Sequence, residues 1–279
     1  MIERLKGRIG HPRYGFGFIP DPPGHRYSGF HLHTASRLVA AIPDAATIDH
    51  FAPPIWLQGN TGSCGGHGTA GAVTTTFASK GFPLKRPADP RLLYTLARAV
   101  DRTNPSLPLV DGGTTPNALV RAIAQWGIAT EDESVGGRAA TDADYSVWLE
   151  AHVNDEPKLS ELQGANARPN TNFNLIWEGG AAKVDAVCAA IADGYAVMAA
   201  VEAGSEAFQA YNGQGVLDCP GLNPDHWVYF TAFRTVAGKK QILMRNSWGF
   251  LWTPDGCAWC SENYIIEGLY YPMVANLGL

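Results

Sequence analysis

Gln58-Gly59-Asn60-Thr61-Gly62-Ser63-Cys64-Gly65-Gly66-His67-Gly68 is the stretch that decides how this chain reads, because a glycine-rich loop there becomes a helix with a cysteine at the junction. Ala70, Val73, Thr74 and Phe77 recur behind it at helical spacing, and Gly81 is a suitable stop. The spacing predicts Cys64 at a helix N-terminus, where unpaired N–H groups and the positive end of the helix dipole favour a negative, nucleophilic sulfur. Taken alone, a single cysteine is as readily a small buried hydrophobe.

The downstream sequence separates these readings. Asp225-His226-Trp227-Val228-Tyr229-Phe230 places a histidine at the head of an apolar run, and Arg245-Asn246-Ser247-Trp248-Gly249 puts an asparagine 20 residues after it. Cysteine, histidine and asparagine in that order supply a nucleophile, a base and a group that orients the base. These residues resemble the papain-like cysteine peptidases. In that family a glutamine six residues before the cysteine helps form the oxyanion hole, and Gln58 stands at that spacing. The family's Asn-Ser-Trp-Gly run is intact at 246 to 249, and Trp252 follows at the expected distance. Asp111-Gly112-Gly113, with Ala118, Ile123, Trp126-Gly127-Ile128 and Glu131 after it, resembles the segment and helix that line one wall of the family's substrate cleft.

The resemblance spans about residues 42 to 270. It implies an α+β, papain-like two-lobed fold, with a helical lobe over about 50–165, an antiparallel β-rich lobe over about 170–279 and the cleft between them. An extended N-terminal arm, 1–41, then precedes a catalytic domain, 42–279. The resemblance also implies catalytic roles for Cys64, His226, Asn246 and Gln58, and places Gly112, Gly113, Trp248 and Asp225 at the substrate cleft. No cofactor and no metal are implied, and the expected substrate is a protein or peptide. Other amide acyl transfers on the same scaffold (isopeptidase, amidase, transpeptidase) share the attacking chemistry, since the cleft selects the acceptor. A low-activity component of a larger assembly is a third class.

Two departures from the family pattern stand out. Gly65 and Gly66 follow the nucleophile where the family usually has tryptophan, which bears on the cleft floor. Many secreted relatives bridge a cysteine three residues before the nucleophile to one just before the paired glycines, but Thr61 and Val110 occupy those positions, as suits a reducing compartment.

Composition narrows the classes further. The chain has 279 residues, 46% hydrophobic and 17% charged, which is ordinary for a protein with a sizeable core. A net charge of −5 and scattered basic residues exclude the clustered cation surface that a nucleic acid requires. Met1-Ile2-Glu3-Arg4-Leu5-Lys6-Gly7 has no apolar core of an export signal, and no run of about 18 apolar residues is present. The expectation is no membrane span and a cytoplasmic location. Beyond Cys64, the cysteines are 188, 219, 257 and 260, too few for a disulfide scaffold. Cys257-Ala258-Trp259-Cys260 has paired spacing, but a zinc site needs further ligands, so structural thiols or a local redox pair are expected.

The arm is rich in Pro, Gly, Arg and His and has no helical period. His31 and His33 read as surface histidines, and Tyr14, Phe16, Phe18 and Ile19 as apolar anchors that strap the lobes together rather than fill the cleft. Pro90 to Ala99, Thr115 to Trp126 and Ala182 to Asp193 read as helices, the last with Cys188 on its apolar face. Tyr145 to Val153 reads as a short helix in an otherwise irregular connection over 132 to 175. Strands are expected at Tyr195 to Val201, His226 to Phe233, Gln241 to Asn246 and Asn263 to Glu267. His67, on the Cys64 helix, is expected to be a hydrogen-bonded core histidine.

Overall fold

The computed structural model describes residues 15–22, 42–133, 144–166 and 171–277. Tyr14, His31, His33 and the glycine pair at 136 and 137 lie outside them. The first helix, α1 (Cys64–Ser79), is buried along Cys64 to Phe77, and its glycines, alanines and threonines present no bulky face. That lack of bulk lets neighbours close on both sides: α2 (Pro90–Asp101) on one, and the central sheet on the other.

Helix α2 begins at the N-cap Asp89, whose carboxylate accepts from the N–H groups of Arg91 (2.8 Å) and Leu92 (3.1 Å), with Pro90 in the first turn. It buries Leu92, Leu93 and Leu96. Helix α3 (Pro116–Trp126) repeats the device, with Thr115 capping Ala118 N–H at 3.1 Å, and ends at Gly127, whose φ of 80° is the left-handed turn that favours glycine. Two shorter helices, α4 (Tyr145–His152) and α5 (Leu159–Asn166), complete this lobe. Glu161 of α5 forms a fully buried ion pair with Arg91 of α2 and also accepts from Lys158 N–H at 2.8 Å, which ties α5 to the helical core.

The second lobe is an antiparallel sheet of seven strands: β1 (Ala45–Thr47), β2 (Thr171–Leu175), β3 (Val197–Val201), β4 (His226–Val236), β5 (Lys239–Arg245), β6 (Cys257–Ser261) and β7 (Tyr270–Leu277). Their order is β2-β7-β3-β4-β5-β6, with β1 pairing β4. Helix α6 (Ala181–Ala192) packs on the sheet with Val184, Val187, Cys188 and Ile191 buried. A single turn, α7 (Glu206–Gln209), and α8 (Glu262–Gly268) follow. The register His226↔Val201 starts β4 at the edge of the cleft, so a histidine opens the strand that runs beneath α1.

The structure corrects the expectation of a strand at Asn263 to Glu267, which is helical. The Ser261 hydroxyl caps Tyr264 N–H at 3.0 Å and Glu262 sits in the first turn, a start signal that outweighs the β-branched Ile265 and Ile266. The connection over 132 to 175 contains α5 and β2, two elements too short for a periodic pattern to declare.

Candidate active site

The loop that presents Cys64 is held from two directions. Gly62 N–H donates to the Asp111 carboxylate at 2.9 Å, the Tyr94 hydroxyl donates to the same oxygen at 2.6 Å, and Gly113 N–H donates to the Tyr94 hydroxyl at 2.9 Å. The cysteine loop and the paired-glycine wall are therefore tied through α2. Gly113 is buried in this tie, whereas Gly112 lies exposed at the rim. On the other side, Gln58 N–H donates to the Ser247 carbonyl at 2.9 Å, so the loop is also bound to the segment after β5.

Gln58 is fully buried, and its partners fix which way its amide faces. The Thr61 carbonyl can only accept, so the atom 2.8 Å from it is the Nε2 amide nitrogen. Oε1 then faces the Ser247 hydroxyl, which donates to it at 2.5 Å. The same logic sets the histidine. Ser247 N–H can only donate, so the atom 2.8 Å from it is Asn246 Oδ1, and His226 Nε2, also 2.8 Å from that oxygen, must carry a proton. Nδ1 of the neutral ring is left as an acceptor, and it makes no hydrogen bond among the described residues. Trp248 lies over the ring at 4.7 Å between centroids and is itself wedged against Phe208 and Trp252. Behind the site, Arg245 donates to Tyr229 Oη (2.9 Å), Asp49 Oδ1 (2.8 Å) and the Pro53 carbonyl (2.6 Å), which anchors the end of β5 where Asn246 begins.

The arm runs through this site and bonds to both lobes, so it straps them as expected and, contrary to expectation, also fills the cleft. Gly15 N–H donates to the Gly59 carbonyl at 3.1 Å, and the Gly15 carbonyl accepts from Gln58 Nε2 at 3.2 Å. Gly17 and Phe18 N–H both donate to the Asp225 carbonyl, at 3.1 and 3.0 Å. The Gly17 carbonyl accepts from Thr114 N–H at 2.7 Å and Ile19 N–H donates to the Thr114 carbonyl at 3.0 Å, a parallel bridge to the paired-glycine wall. Phe16 stands edge-on to His226 and Trp248, and Phe18 is buried edge-on to Trp227. The Ile19 side chain is exposed, so it is not the buried apolar anchor expected from sequence.

Covering the site changes its electrostatics. Burial pushes the Cys64 thiol up to about 12, against smaller opposing effects of hydrogen bonding from the backbone of Trp227, Gly17 and Gly65. Burial likewise pushes His226 down to about 4 despite the Asn246 hydrogen bond that favours its charged form. Both shifts favour a thiol and a neutral imidazole over the thiolate and imidazolium expected from sequence, because a buried charge is costly. Asp225 is raised to about 6 by burial, while its carboxylate accepts from Ala203 N–H (2.7 Å) and Gly204 N–H (3.0 Å). His67 is buried between Trp56 and Tyr145, with Nδ1 2.9 Å from the Ser63 carbonyl, and is held near 4 by desolvation.

A family model described as papain family cysteine protease matches residues 44–267. The chain belongs to the papain family of cysteine proteases. A cysteine proteinase of Trypanosoma brucei brucei is 26% identical over 205 residues, which is 73% of this chain and 40% of the relative. This chain thus spans under half the length of that curated relative. Among solved structures, xylellain, a cysteine protease from Xylella fastidiosa, superposes with a TM-score of 0.72 at 18% identity, covering 98% of this chain and 100% of that one. Digestive procathepsin L2 from Tenebrio molitor larval midgut superposes at 0.69 with 20% identity over 95% of this chain and 78% of that one. Both have the fold described above.

Within the papain family, the departure after Cys64 has a structural reason here. A Cβ on Gly65 would lie 2.3 Å from Thr114 Oγ1 and 3.3 Å from the Trp227 indole, so the space is already filled by β4 and the glycine wall. Sequence reasoning missed the tie through Tyr94 and Asp111 and the double role of Ser247. For Asp111 the signal was its place directly before the paired glycines. For Tyr94, on a helix read only for its leucines, there was none. Cys188, Cys257 and Cys260 are buried free thiols, and Cys219 is a half-buried one.

Proposed function

We propose that this chain is a cysteine peptidase that folds with its own N-terminal segment in the cleft and cuts peptide bonds once that segment leaves. The observation that carries this reading is the Gly15 carbonyl, which accepts from Gln58 Nε2 at 3.2 Å: a peptide carbonyl already sits against the donor that would hold an oxyanion.

With the segment gone and water admitted, the cost of charge separation falls, and the Cys64 proton passes to His226 Nδ1. The thiolate attacks the substrate carbonyl carbon, a C–S bond forms, and the carbonyl oxygen takes the charge between Gln58 Nε2 and Cys64 N–H. His226 Nδ1–H protonates the leaving nitrogen as the C–N bond breaks, which leaves a thioester. Water then adds to the thioester carbonyl and gives a proton to His226; the C–S bond breaks and the sulfur recovers that proton. Asn246 keeps the ring in the productive tautomer throughout by accepting from Nε2–H. The ring wall of Trp248, Phe208 and Trp252 keeps bulk water from that hydrogen bond.

The test is turnover of a quenched fluorescent peptide mixture by the chain before and after removal of the arm, with Cys64→Ala as control. Hydrolysis that needs Cys64 supports the reading. Hydrolysis that survives Cys64→Ala, or none after the arm is removed, overturns it.

A further inference from the structure

We infer that the small cavity between α1, the start of β4 and the end of β5 holds one buried water, which accepts from Asn246 Nδ2 and donates to His67 Nε2, and that His67 is thereby a positioning residue for Asn246. The role of His67 rests on the peptidase reading above; the water does not. The cavity offers about 10 Å³ to the centre of a water, close to the least that holds one. His67 and Gly68 of α1, Val228 of β4, Arg245, Asn246 and Trp56 are among the residues that line it.

Two of its walls carry complementary polar atoms. Nδ1 of His67 lies 2.9 Å from the Ser63 carbonyl, which can only accept, so Nδ1 carries the ring's proton and Nε2 is a bare acceptor. Desolvation holds this ring near 4, so Nε2 keeps its lone pair at neutral pH. Asn246 Oδ1 is engaged by Ser247 N–H and His226 Nε2–H, which leaves the two hydrogens of Nδ2 for the opposite side. His67 and Asn246 are only 1% and 3% exposed, yet among the described residues neither His67 Nε2 nor Asn246 Nδ2 has a hydrogen-bond partner. They do not bond each other directly, and a single water satisfies both, accepting from one and donating to the other. Trp56 brings a third buried donor without a partner, Nε1, to the same cavity. Arg245 also lines it, but its nitrogens donate to Tyr229, Asp49 and the Pro53 carbonyl.

The water reaches the reacting histidine through the amide. Accepting from Nδ2 moves density through the conjugated amide onto Oδ1, which strengthens Oδ1 as the acceptor for His226 Nε2–H. That bond matters most when the ring takes up a proton during turnover. His67 fixes the water's direction, since one O–H points to Nε2 and the lone pairs remain for Asn246. A phenyl ring in its place would fill the same volume and leave the water no acceptor. His67 touches no reacting atom and acts only through Asn246.

A crystal structure of the unsubstituted chain should show one ordered water within hydrogen-bond distance of both His67 Nε2 and Asn246 Nδ2. A dry cavity, or a water that misses either atom, overturns the inference, and this readout needs no catalysis. Kinetics use the full-length chain carrying Gly17→Ala, whose methyl cannot fit against Gly62, so that the cleft is open. Adding His67→Phe should lower kcat roughly fivefold to tenfold and leave KM within about twofold. His67→Gln, which again offers an acceptor, should recover kcat to within about twofold of the background. His67→Ala leaves space for further waters that serve Asn246, so it should keep most of the turnover. Packing alone predicts the opposite order, because phenylalanine replaces the ring better than glutamine does. A His67→Phe chain that equals the background or outperforms His67→Gln overturns the positioning role. Asn246→Ala with His67→Phe should be no worse than Asn246→Ala alone, and additive losses also overturn it. Should His67→Phe not fold, His67→Leu, which likewise lacks an acceptor, takes its place. If the Gly17→Ala background has no turnover, the peptidase reading has failed while the crystal structure still decides the water.

Discussion

Gly17 of the arm lies so close to Gly62 of the cysteine loop that a Cβ on Gly17 would stand 1.8 Å from the Gly62 carbonyl oxygen. Gly15 stands in the same relation to the Thr61 carbonyl. The arm is therefore admitted to the site by what two of its residues lack, and it is held there by backbone hydrogen bonds from both lobes. Phe16 and Phe18 on either side of Gly17 supply the apolar contacts.

The proposed pairing of Cys64 as nucleophile with His226 as base predicts non-additive losses. Cys64→Ala and His226→Ala should each remove turnover almost completely, and the double variant should be little worse than either, because the two act as a unit. Asn246→Ala should be milder, since it frees the ring without removing it. His67→Ala should retain activity if it folds; loss there with retention in His226→Ala would transfer the base role to His67. Steady-state kinetics on the five variants decide it.

Acid should destabilise the closed chain. His226 and His67 are held near 4, below their ordinary 6.5, so the unfolded chain binds more protons than the folded one between those values. The stability that their neutrality contributes is full above about 6.5 and is lost as the pH falls toward 4. Asp225, raised from 3.8 to about 6, acts the other way, favouring the folded chain as it takes up a proton through that range. Two groups outweigh one, so the melting temperature should drop between pH 7 and 4.5 by differential scanning fluorimetry, and His67→Gln should flatten the slope if it folds. A melting temperature that climbs on acidification contradicts this balance.

The buried Arg91–Glu161 pair predicts a large and local cost. Glu161→Gln leaves a fully buried guanidinium short of its counter-charge and should cost about 3 to 5 kcal/mol. Glu156→Gln, at the more exposed pair with Arg102, should cost under about 1 kcal/mol. Urea denaturation of the two variants compares them directly, and equal midpoints would show that the buried pair contributes nothing beyond its hydrogen bonds.

How much of this was legible in the sequence follows from which forces leave a mark on it. The cysteine loop, the histidine at a strand start and the asparagine run were readable because each needs particular side chains at fixed offsets. Helices α2, α3 and α6 were readable from capping residues and apolar period. The arm's place was not, because the arm's hydrogen bonds all run through its own backbone, and a Gly-Phe-Gly-Phe run reads equally well as a loop with apolar anchors. Helix α8 was misread because Ile265 and Ile266 suggested a strand while the Ser261 cap went unweighed. The upward shift of the Cys64 thiol was hidden for the same reason as the arm: it comes from desolvation, and desolvation depends on what covers the site.

The rate of Cys64 alkylation tests the central claim most directly. Brief iodoacetamide treatment near pH 6, followed by mass spectrometry of each cysteine, should find Cys64 slow in the full-length chain and accelerated by roughly tenfold or more in full-length Gly17→Ala, where the added methyl cannot fit against Gly62. The melting temperature should change little, and Cys188, Cys257 and Cys260 should stay slow in both. Equal Cys64 rates in the two chains, or rapid labelling of Cys64 in the unsubstituted one, would contradict an arm that closes the site.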